Sequence, residues 1–250
     1  AIGGTGYGWT LHDNMRDRTL FADSTNQETS SRQIDFTPTG FHCIGKDSNI
    51  NDGFGEYIYI AIRRPNKPPT AATDVFDIDT FTGSGSAEVI STTFTVDASL
   101  TAWRNRNFVP TFIKRFRGGS KELFTAGSQV EYTNPNPAEL DFQTGLQLMG
   151  YSGDAGYNLV SYSFKRAPGF FDVVTYSGTG SARTQSHNLA ATPELIIVRT
   201  RSHSANWYAY VEALGNQAYL VPNKSEGAST GMPIWNSTSP TSSVFSLYGS

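Results

Sequence analysis

The chain resembles itself, and this internal repetition constrains the fold more than any other feature of the sequence. The string DFTPTGF at residues 35–41 returns as DFQTGL at residues 141–146, 106 residues later. A second string, FDIDTFTGSGS at residues 76–86, returns as FDVVTYSGTGS at residues 171–181, 95 residues later. A repeat of about one hundred residues is too long for a solenoid and is typical of a small β-sandwich domain.

A third repeated element is an aromatic residue followed by a tight polar turn and a second strand. Trp9, Phe112 and Trp207 take this position. Each copy predicts a hairpin. A position that is large and aromatic in every copy is typical of a core, so we expect these three side chains in equivalent core sites. The alternative is a platform for sugar rings lined by Trp9, Trp103, Trp207 and Trp235.

The order of the repeated elements divides the chain into three predicted units. Residues 70–168 hold a complete β-sandwich repeat, residues 1–69 the C-terminal part of a first repeat, and residues 169–250 the N-terminal part of a third. The proline-rich string PNKPPT at residues 65–70 is the predicted linker, because proline lacks an N–H and resists sheet pairing. We expect the chain to be an internal piece of a longer protein.

The composition favours an all-β fold. Only 16% of the residues are charged, against about a quarter in an average domain, and glycine and aromatic residues are abundant. No segment carries the apolar spacing and caps of a helix. The sequence therefore predicts tandem antiparallel β-sandwich repeats of the jelly-roll or lectin-like kind. The predicted strands cover residues 56–63, 87–96, 108–116, 159–164, 172–176, 195–198, 207–211 and 244–248.

Charge and hydropathy exclude two classes of partner. The net charge of −3 gives no basis for binding nucleic acid. No apolar run approaches the roughly 20 residues that cross a bilayer, so we expect no membrane insertion. A single cysteine, Cys43, excludes a disulfide within the chain.

No group of residues forms a recognisable catalytic or metal-binding motif. The four histidines, His12, His42, His187 and His203, are far apart and lack metal-ligand spacing. No G-x-S-x-G string marks a nucleophilic serine. We therefore predict no catalytic residue, no cofactor and no bound metal.

Two acidic residues leave one alternative open. Asp77 and Asp79 alternate along a predicted strand start, so both side chains face the same side. Carboxylates of this kind bind Ca²⁺. The corresponding residues of the next repeat are Asp172 and Val174, and a required pair would not lose one member in a copy. This comparison favours hydrogen bonding in a turn over a Ca²⁺ site.

One stretch of the chain is strongly cationic. Residues 104–121 contain no Asp or Glu. Such a patch would contact an acidic glycan or the carboxylates of a neighbouring subunit, because a guanidinium pairs with a carboxylate through two parallel hydrogen bonds. The alternative is that these cations lie on a loop and a strand face that are exposed to solvent. The six cations are Arg104, Arg106, Lys114, Arg115, Arg117 and Lys121.

Several strings in the same order resemble a domain family of unknown biochemical function in long structural proteins of tailed bacteriophages, especially marine ones. They are Trp9 with DNMR at 13–16, YIYIAIRRP at 57–65, KPPT at 67–70, GFFDVVTYSG at 169–178, HNL at 187–189 and PELIIV at 193–198. The resemblance implies a tail, fibre or other virion appendage built of concanavalin-like or jelly-roll sandwiches. It supplies no catalytic residues.

We therefore expect a non-enzymatic structural protein at the surface of a virion, which acts by assembly and presentation of its β-sandwich domains. The expected partners are other copies or other virion proteins, with a host-surface glycan as a further candidate. One alternative is a carbohydrate-binding module for such glycans, which needs exposed aromatic pairs on a concave face. The other is a polysaccharide depolymerase, which needs a cleft with two carboxylates or a nucleophile.

Overall fold

The computed structural model describes most of the chain from residue 68 onward and shorter stretches before it. The described residues are 10–13, 18–22, 27–30, 33–37, 40–44, 49–51, 53, 57, 59–61, 68–107, 110–114, 121–136, 138–140, 142–148 and 155–249. Within them, no helix has the length and apolar character needed to cross a bilayer.

Regular structure in the described residues is almost entirely β, with two single turns of 3-10 helix at Ala72–Asp74 and Glu212–Leu214. The strands are β1 Thr10–Leu11, β2 Leu20–Phe21, β3 Ile34–Thr37, β4 Gly40–Cys43, β5 Phe76–Thr82, β6 Glu88–Ile90, β7 Ala98–Trp103, β8 Thr111–Lys114, β9 Lys121–Phe124, β10 Tyr132–Thr133, β11 Leu146–Leu148, β12 Asn158–Phe164, β13 Arg183–Ser186, β14 Leu195–Val198, β15 Tyr208–Val211 and β16 Val244–Leu247.

Six of these strands form one antiparallel sheet in the order β10-β9-β8-β7-β12-β5. The long strands β7 and β12 lie at its middle, and β12 pairs along its whole length with β5, which is the edge strand. The remaining strands pair two by two, as β1–β2, β3–β4, β6–β11, β13–β16 and β14–β15.

The six-stranded sheet packs one face, called here the inner face, against a second layer that contains β6 and β11. Phe81 of β5 and Ile113 of β8 point to this face and join the apolar core. Two packed antiparallel layers of this kind are a β-sandwich. The all-β sandwich class is confirmed, whereas tandem repetition stays a prediction. The second layer contributes Ile90, Phe94, Val96, Ala138, Leu140, Leu146 and Leu148 to the core.

The inner face also buries polar side chains at its centre. Strand alternation brings Ser99 and Thr101 of β7 to the same side as Ser161 of β12. The Ser99 hydroxyl lies 3.0 Å from the Ser161 hydroxyl and 3.4 Å from that of Thr101. Towards the β10 edge, Asn134 donates its amide to the buried Glu122 carboxylate at 2.7 Å. These mutual bonds offset the cost of removing the groups from water.

A second apolar core lies in the C-terminal part of the chain, around Trp235. The indole N–H of Trp235 donates to the backbone oxygen of Ala218 at 3.2 Å. The Tyr210 ring packs edge-on against it, with the ring centres 5.8 Å apart. Tyr219, Val221 and Phe245 complete the buried cluster, and Ile196, Val198, Tyr208, Ile234 and Leu247 pack against it.

The predicted boundary near residues 166–170 is a packed junction. Arg166 donates its Nε to Asp172 at 2.6 Å, and both side chains are almost fully buried. Asp172 also accepts the backbone N–H of Asn188 at 2.8 Å, while Asp97 accepts the backbone N–H of Arg166 at 2.8 Å. A buried ion pair with these extra hydrogen bonds ties the end of β12 to the segment that follows. The division into three units stays a prediction.

The structure differs from the predicted strands at two places. Residues 172–176 form no strand; Asp172 at their start instead bonds the Arg166 guanidinium and the backbone N–H groups of Val173 and Asn188. Residues 87–96 hold only the short β6. The predicted strand at residues 56–63 lies largely outside the described residues, and residues 57 and 59–61 belong to no strand.

Gly145 permits a close approach between the two strands of the second layer. Its φ is +123°, and a Cβ there would lie 2.0 Å from the backbone oxygen of Ile90. We expect Gly145→Ala to lower the free energy of unfolding by at least about 1–3 kcal/mol, because backbone strain adds to the clash. Gly178→Ala is the matched control, since a Cβ there meets open space. Chemical denaturation of both variants makes the comparison, and equal losses would contradict the assignment.

Candidate functional site

The sheet separates the predicted cationic cluster into two groups. Lys114 pairs with Ala98 at one end of β7, and Lys121 begins the neighbouring β9 at the same end. Arg104 follows the last residue of β7, six positions beyond Ala98, which corresponds to about 20 Å of strand. Arg106 continues the turn at that far end. The two groups therefore cannot contact the same carboxylate.

Two of the cations have side-chain partners within the chain. The Arg106 guanidinium lies over the Tyr157 ring, 4.6 Å from its centre. Lys121 donates its ammonium to the Thr133 hydroxyl. Arg115 and Arg117 lie outside the described residues, as does the side chain of Lys114. A contact of the whole cluster with a neighbour or a glycan stays a prediction.

The predicted core aromatics have different surroundings. Trp207 is 8% exposed, whereas Phe112 is half-buried on the outer face of the sheet, and Trp9 lies outside the described residues. Trp103 and Trp235 are buried as well. Within the described residues no tryptophan therefore offers an exposed platform for a sugar ring. The equivalence of Trp9, Phe112 and Trp207 stays a prediction.

Trp207 belongs to a set of contacts, called here the clasp, between residues 124–131 and residues 199–207. Its indole N–H donates to the backbone oxygen of Phe124 at 3.0 Å. Arg201 makes two parallel bonds to the Glu131 carboxylate, at 2.9 and 2.8 Å. Glu131 is largely buried, so this bidentate pair fixes orientation as well as distance. The clasp joins the β9–β10 side of the sheet to the β14–β15 hairpin.

Arg199 adds a cation to the clasp, beside the indole. Its guanidinium lies 5.7 Å from the centre of the Trp207 ring, and its Nη2 donates to the backbone oxygen of Gln129. Burial lowers the pKa of Arg199 from its ordinary value. Attraction to the π-face offsets part of the cost of desolvating this charge.

The β14 edge is a surface of the described part of the chain that is suited to association. Leu195 and Ile197 alternate with inward residues on β14, and they are 57% and 50% exposed. β14 pairs with β15 on one side only within the described part of the chain. An edge strand presents unpaired backbone groups, and here it also presents two large apolar side chains. The sequence showed the strand but not which residues face outward.

A second unusual feature is the acidic pair Asp77 and Asp79 on β5, the edge strand of the large sheet. Both carboxylates point to the inner face and are half-buried. Asp77 accepts the backbone N–H of Ile78 at 2.9 Å, in line with the local hydrogen bonding favoured by the sequence. Burial, and then the charge of Asp77, raise the pKa of Asp79 above 3.8. The described residues contain no group of three or more His, Cys, Asp or Glu side chains that could hold a metal.

The clasp predicts a graded response to changes at Trp207. We expect Trp207→Ala to reduce the free energy of unfolding by about 3–5 kcal/mol, because it removes a buried indole. Trp207→Phe keeps an aromatic ring but removes the N–H bond to Phe124 and part of the buried indole, so a smaller loss of about 1–2 kcal/mol is expected. Tyr248→Ala, at an exposed position, is the control. Urea denaturation would refute the packing role if all three variants were equally stable.

The raised pKa of Asp79 predicts a pH-dependent gain from its neutral isostere. The folded chain favours the protonated acid, so the ionised carboxylate costs stability at neutral pH. This cost disappears as the pH falls towards the ordinary value of 3.8. In buffer without divalent cations, we expect Asp79→Asn to raise the midpoint of thermal unfolding at neutral pH and to lose that advantage near pH 4. Glu139→Gln, at an exposed site, should have little effect at either pH, and a destabilised Asp79→Asn at neutral pH would contradict the argument.

Comparison with known families gives one match. The family model of a domain of unknown function, DUF7483, matches residues 71–250. The match begins directly after the proline-rich string and spans the packed junction around Arg166. No curated protein and no solved structure matches the chain. Because the family model covers more than half of the sequence, the chain belongs to the DUF7483 family.

Proposed function

We propose that the chain is a non-enzymatic structural component of a phage virion appendage, of the tail or fibre type, which acts by assembly. Its β-sandwich presents surfaces to other copies or to other virion proteins at the particle exterior. The ordered strings that resemble phage structural proteins support the virion setting. The β14 edge is the observation that carries the assembly role.

The argument for assembly rests on the combination of backbone and side chains at this edge. A strand with free N–H and C=O groups can accept another strand, and the main-chain bonds then supply affinity. Leu195 and Ile197 would lose their exposed apolar area in the same step, which adds a favourable hydrophobic contribution. Neither feature requires a ligand pocket, so the proposal is independent of glycan binding.

The β14 edge predicts the effect of charged substitutions on association. We expect the double variant Leu195→Lys, Ile197→Lys to weaken self-association or partner binding at least about tenfold, because lysines on an edge strand oppose further pairing. Met232→Lys is the control, since Met232 is also exposed but belongs to no strand. Sedimentation velocity of the full-length protein, with circular dichroism to verify folding, measures the difference.

The virion setting is tested on particles themselves. Mass spectrometry of purified particles made from the genome that encodes this chain should detect it in multiple copies, and antibody labelling should place it on an appendage. A protein that is absent from particles and sediments as a stable monomer would refute the proposal. Binding of that monomer to host-surface glycans would instead favour a free carbohydrate-binding module.

A further inference from the structure

The acidic pair on β5 has a geometry that fits two ligands of one ion. Asp77 and Asp79 are two residues apart on the same face of a strand, so their backbones are separated by about 7 Å. Carboxylate side chains at this spacing can converge on a cation with oxygen distances of about 2.3–2.6 Å. β5 is the edge of the sheet, and both side chains are only half-buried. An ion and its water ligands could therefore enter from the open side.

A third oxygen faces the same place from the neighbouring strand. The register pairs Asp77 with Ser163 of β12 and Asp79 with Ser161. Because strand residues alternate between faces, all four side chains lie on the inner face. Ser161 is bonded to Ser99. Ser163 is 1% exposed, and its hydroxyl has no hydrogen-bond partner in the described part of the chain.

This orphaned hydroxyl is an independent sign that a ligand is needed. A buried hydroxyl without a partner costs free energy, and native structures rarely tolerate it. Ser163 could rotate its O–H towards water or another acceptor, but its two lone pairs also suit a cation. Its position directly opposite Asp77, and diagonal to Asp79, places that side chain on the same face as the acidic pair.

The charges at this place are also uncompensated. Asp79 has neither a hydrogen-bond partner nor an ion-pair partner among the described residues. Asp77 uses one carboxylate oxygen for the Ile78 N–H, which leaves the other available. Two like charges side by side on a half-buried surface repel each other. A divalent cation would cancel this repulsion.

We propose that Asp77, Asp79 and Ser163 form a binding site for Ca²⁺ at the β5 edge. The three ligands are all oxygens, which is the donor type that hard divalent cations take. Ca²⁺ suits the site better than Mg²⁺, because it accepts irregular geometry with six to eight ligands while Mg²⁺ demands a near-ideal octahedron. Water completes the coordination on the open side. With only two carboxylates, the dissociation constant falls at about 10⁻⁴–10⁻³ M, the range of extracellular Ca²⁺ modules.

This site is distinct from the proposed assembly surface. It lies on β5, whereas the β14 edge belongs to another sheet. The proposed site also changes the interpretation of the sequence comparison between the two repeats, in which Val174 stands at the position of the second aspartate. Residues 172–176 form no strand, so that copy could not align two carboxylates on one face, and the loss of one carboxylate there says nothing about β5.

Calorimetric titration of chelator-treated protein with CaCl₂ tests the site directly. The wild-type chain should bind one Ca²⁺ with a dissociation constant of about 10⁻⁴–10⁻³ M, and Mg²⁺ should bind more weakly. Asp79→Asn should weaken Ca²⁺ binding at least about tenfold, and Ser163→Ala should weaken it by a smaller factor. Glu139→Gln removes an exposed carboxylate elsewhere and should leave the constant unchanged.

Thermal unfolding gives a second readout that does not depend on the heat of binding. Ca²⁺ at millimolar concentration should raise the unfolding midpoint of the wild-type chain and of Glu139→Gln, but not that of Asp79→Asn. Because Asp79→Asn removes a repulsion, the variant is expected to fold, and its response to Ca²⁺ can be measured. The absence of both heat and a midpoint shift in the wild type up to about 10 mM Ca²⁺ would overturn the proposal. An Asp79→Asn variant that binds as tightly as the wild type would overturn it as well.

Discussion

The pairing of β7 with β12 places small hydroxyl side chains at the centre of a buried sheet face, and much of the architecture depends on satisfying them. Ser99 sits between the hydroxyls of Ser161 and Thr101 and is bonded to both. Small side chains here leave room for the second layer to approach, while larger residues such as Phe81 and Ile113 fill the core around them. A hydroxyl in a core without a partner costs free energy, so the register that pairs these hydroxyls cannot slip without cost.

The same requirement explains how the C-terminal part is held to the sheet. At one place Arg166 and Asp172 neutralise each other in a buried setting, with backbone groups occupying the remaining carboxylate positions. At another, the clasp joins Arg201 to Glu131 and Trp207 to a backbone oxygen. Breaking either pair would leave a buried charge alone, which costs more than the pair itself contributes. Polar contacts thus supply orientation where the apolar cores, one around Leu146 and one around Trp235, are separate.

Short strands rich in branched or aromatic residues could be predicted from the sequence, as Leu195–Val198 and Asn158–Phe164 show. The central strand Ala98–Trp103 could not, because its two alanines and its serine carry little β signal and it is held by neighbours on both sides. Residues 172–176 were predicted as a strand and form none; Asp172 at their start belongs to the packed junction with Arg166.

The candidate sites were harder to predict than the fold, since each depends on which residues face each other. The cations from Arg104 to Lys121 are close in sequence, but the antiparallel strands place Arg104 and Lys121 at opposite ends of the strands. The sequence alone does not mark Ser163 as a candidate ligand, because its role depends on aspartates of a partner strand more than 80 residues earlier in the chain. The sequence did place Asp77 and Asp79 on one face, which a period of two residues is enough to show.

The position of the two aspartates on an outermost strand has a consequence for the direction in which such chains can join. A strand added beyond β5 would have to cover two inward-pointing carboxylates, so charge protects that border of the large sheet against uncontrolled extension. β14 has no such protection, since its outward side chains are leucine and isoleucine. Strand addition is therefore opposed at β5 and permitted at β14. Contacts of this kind would form at one edge of the molecule and not at the other.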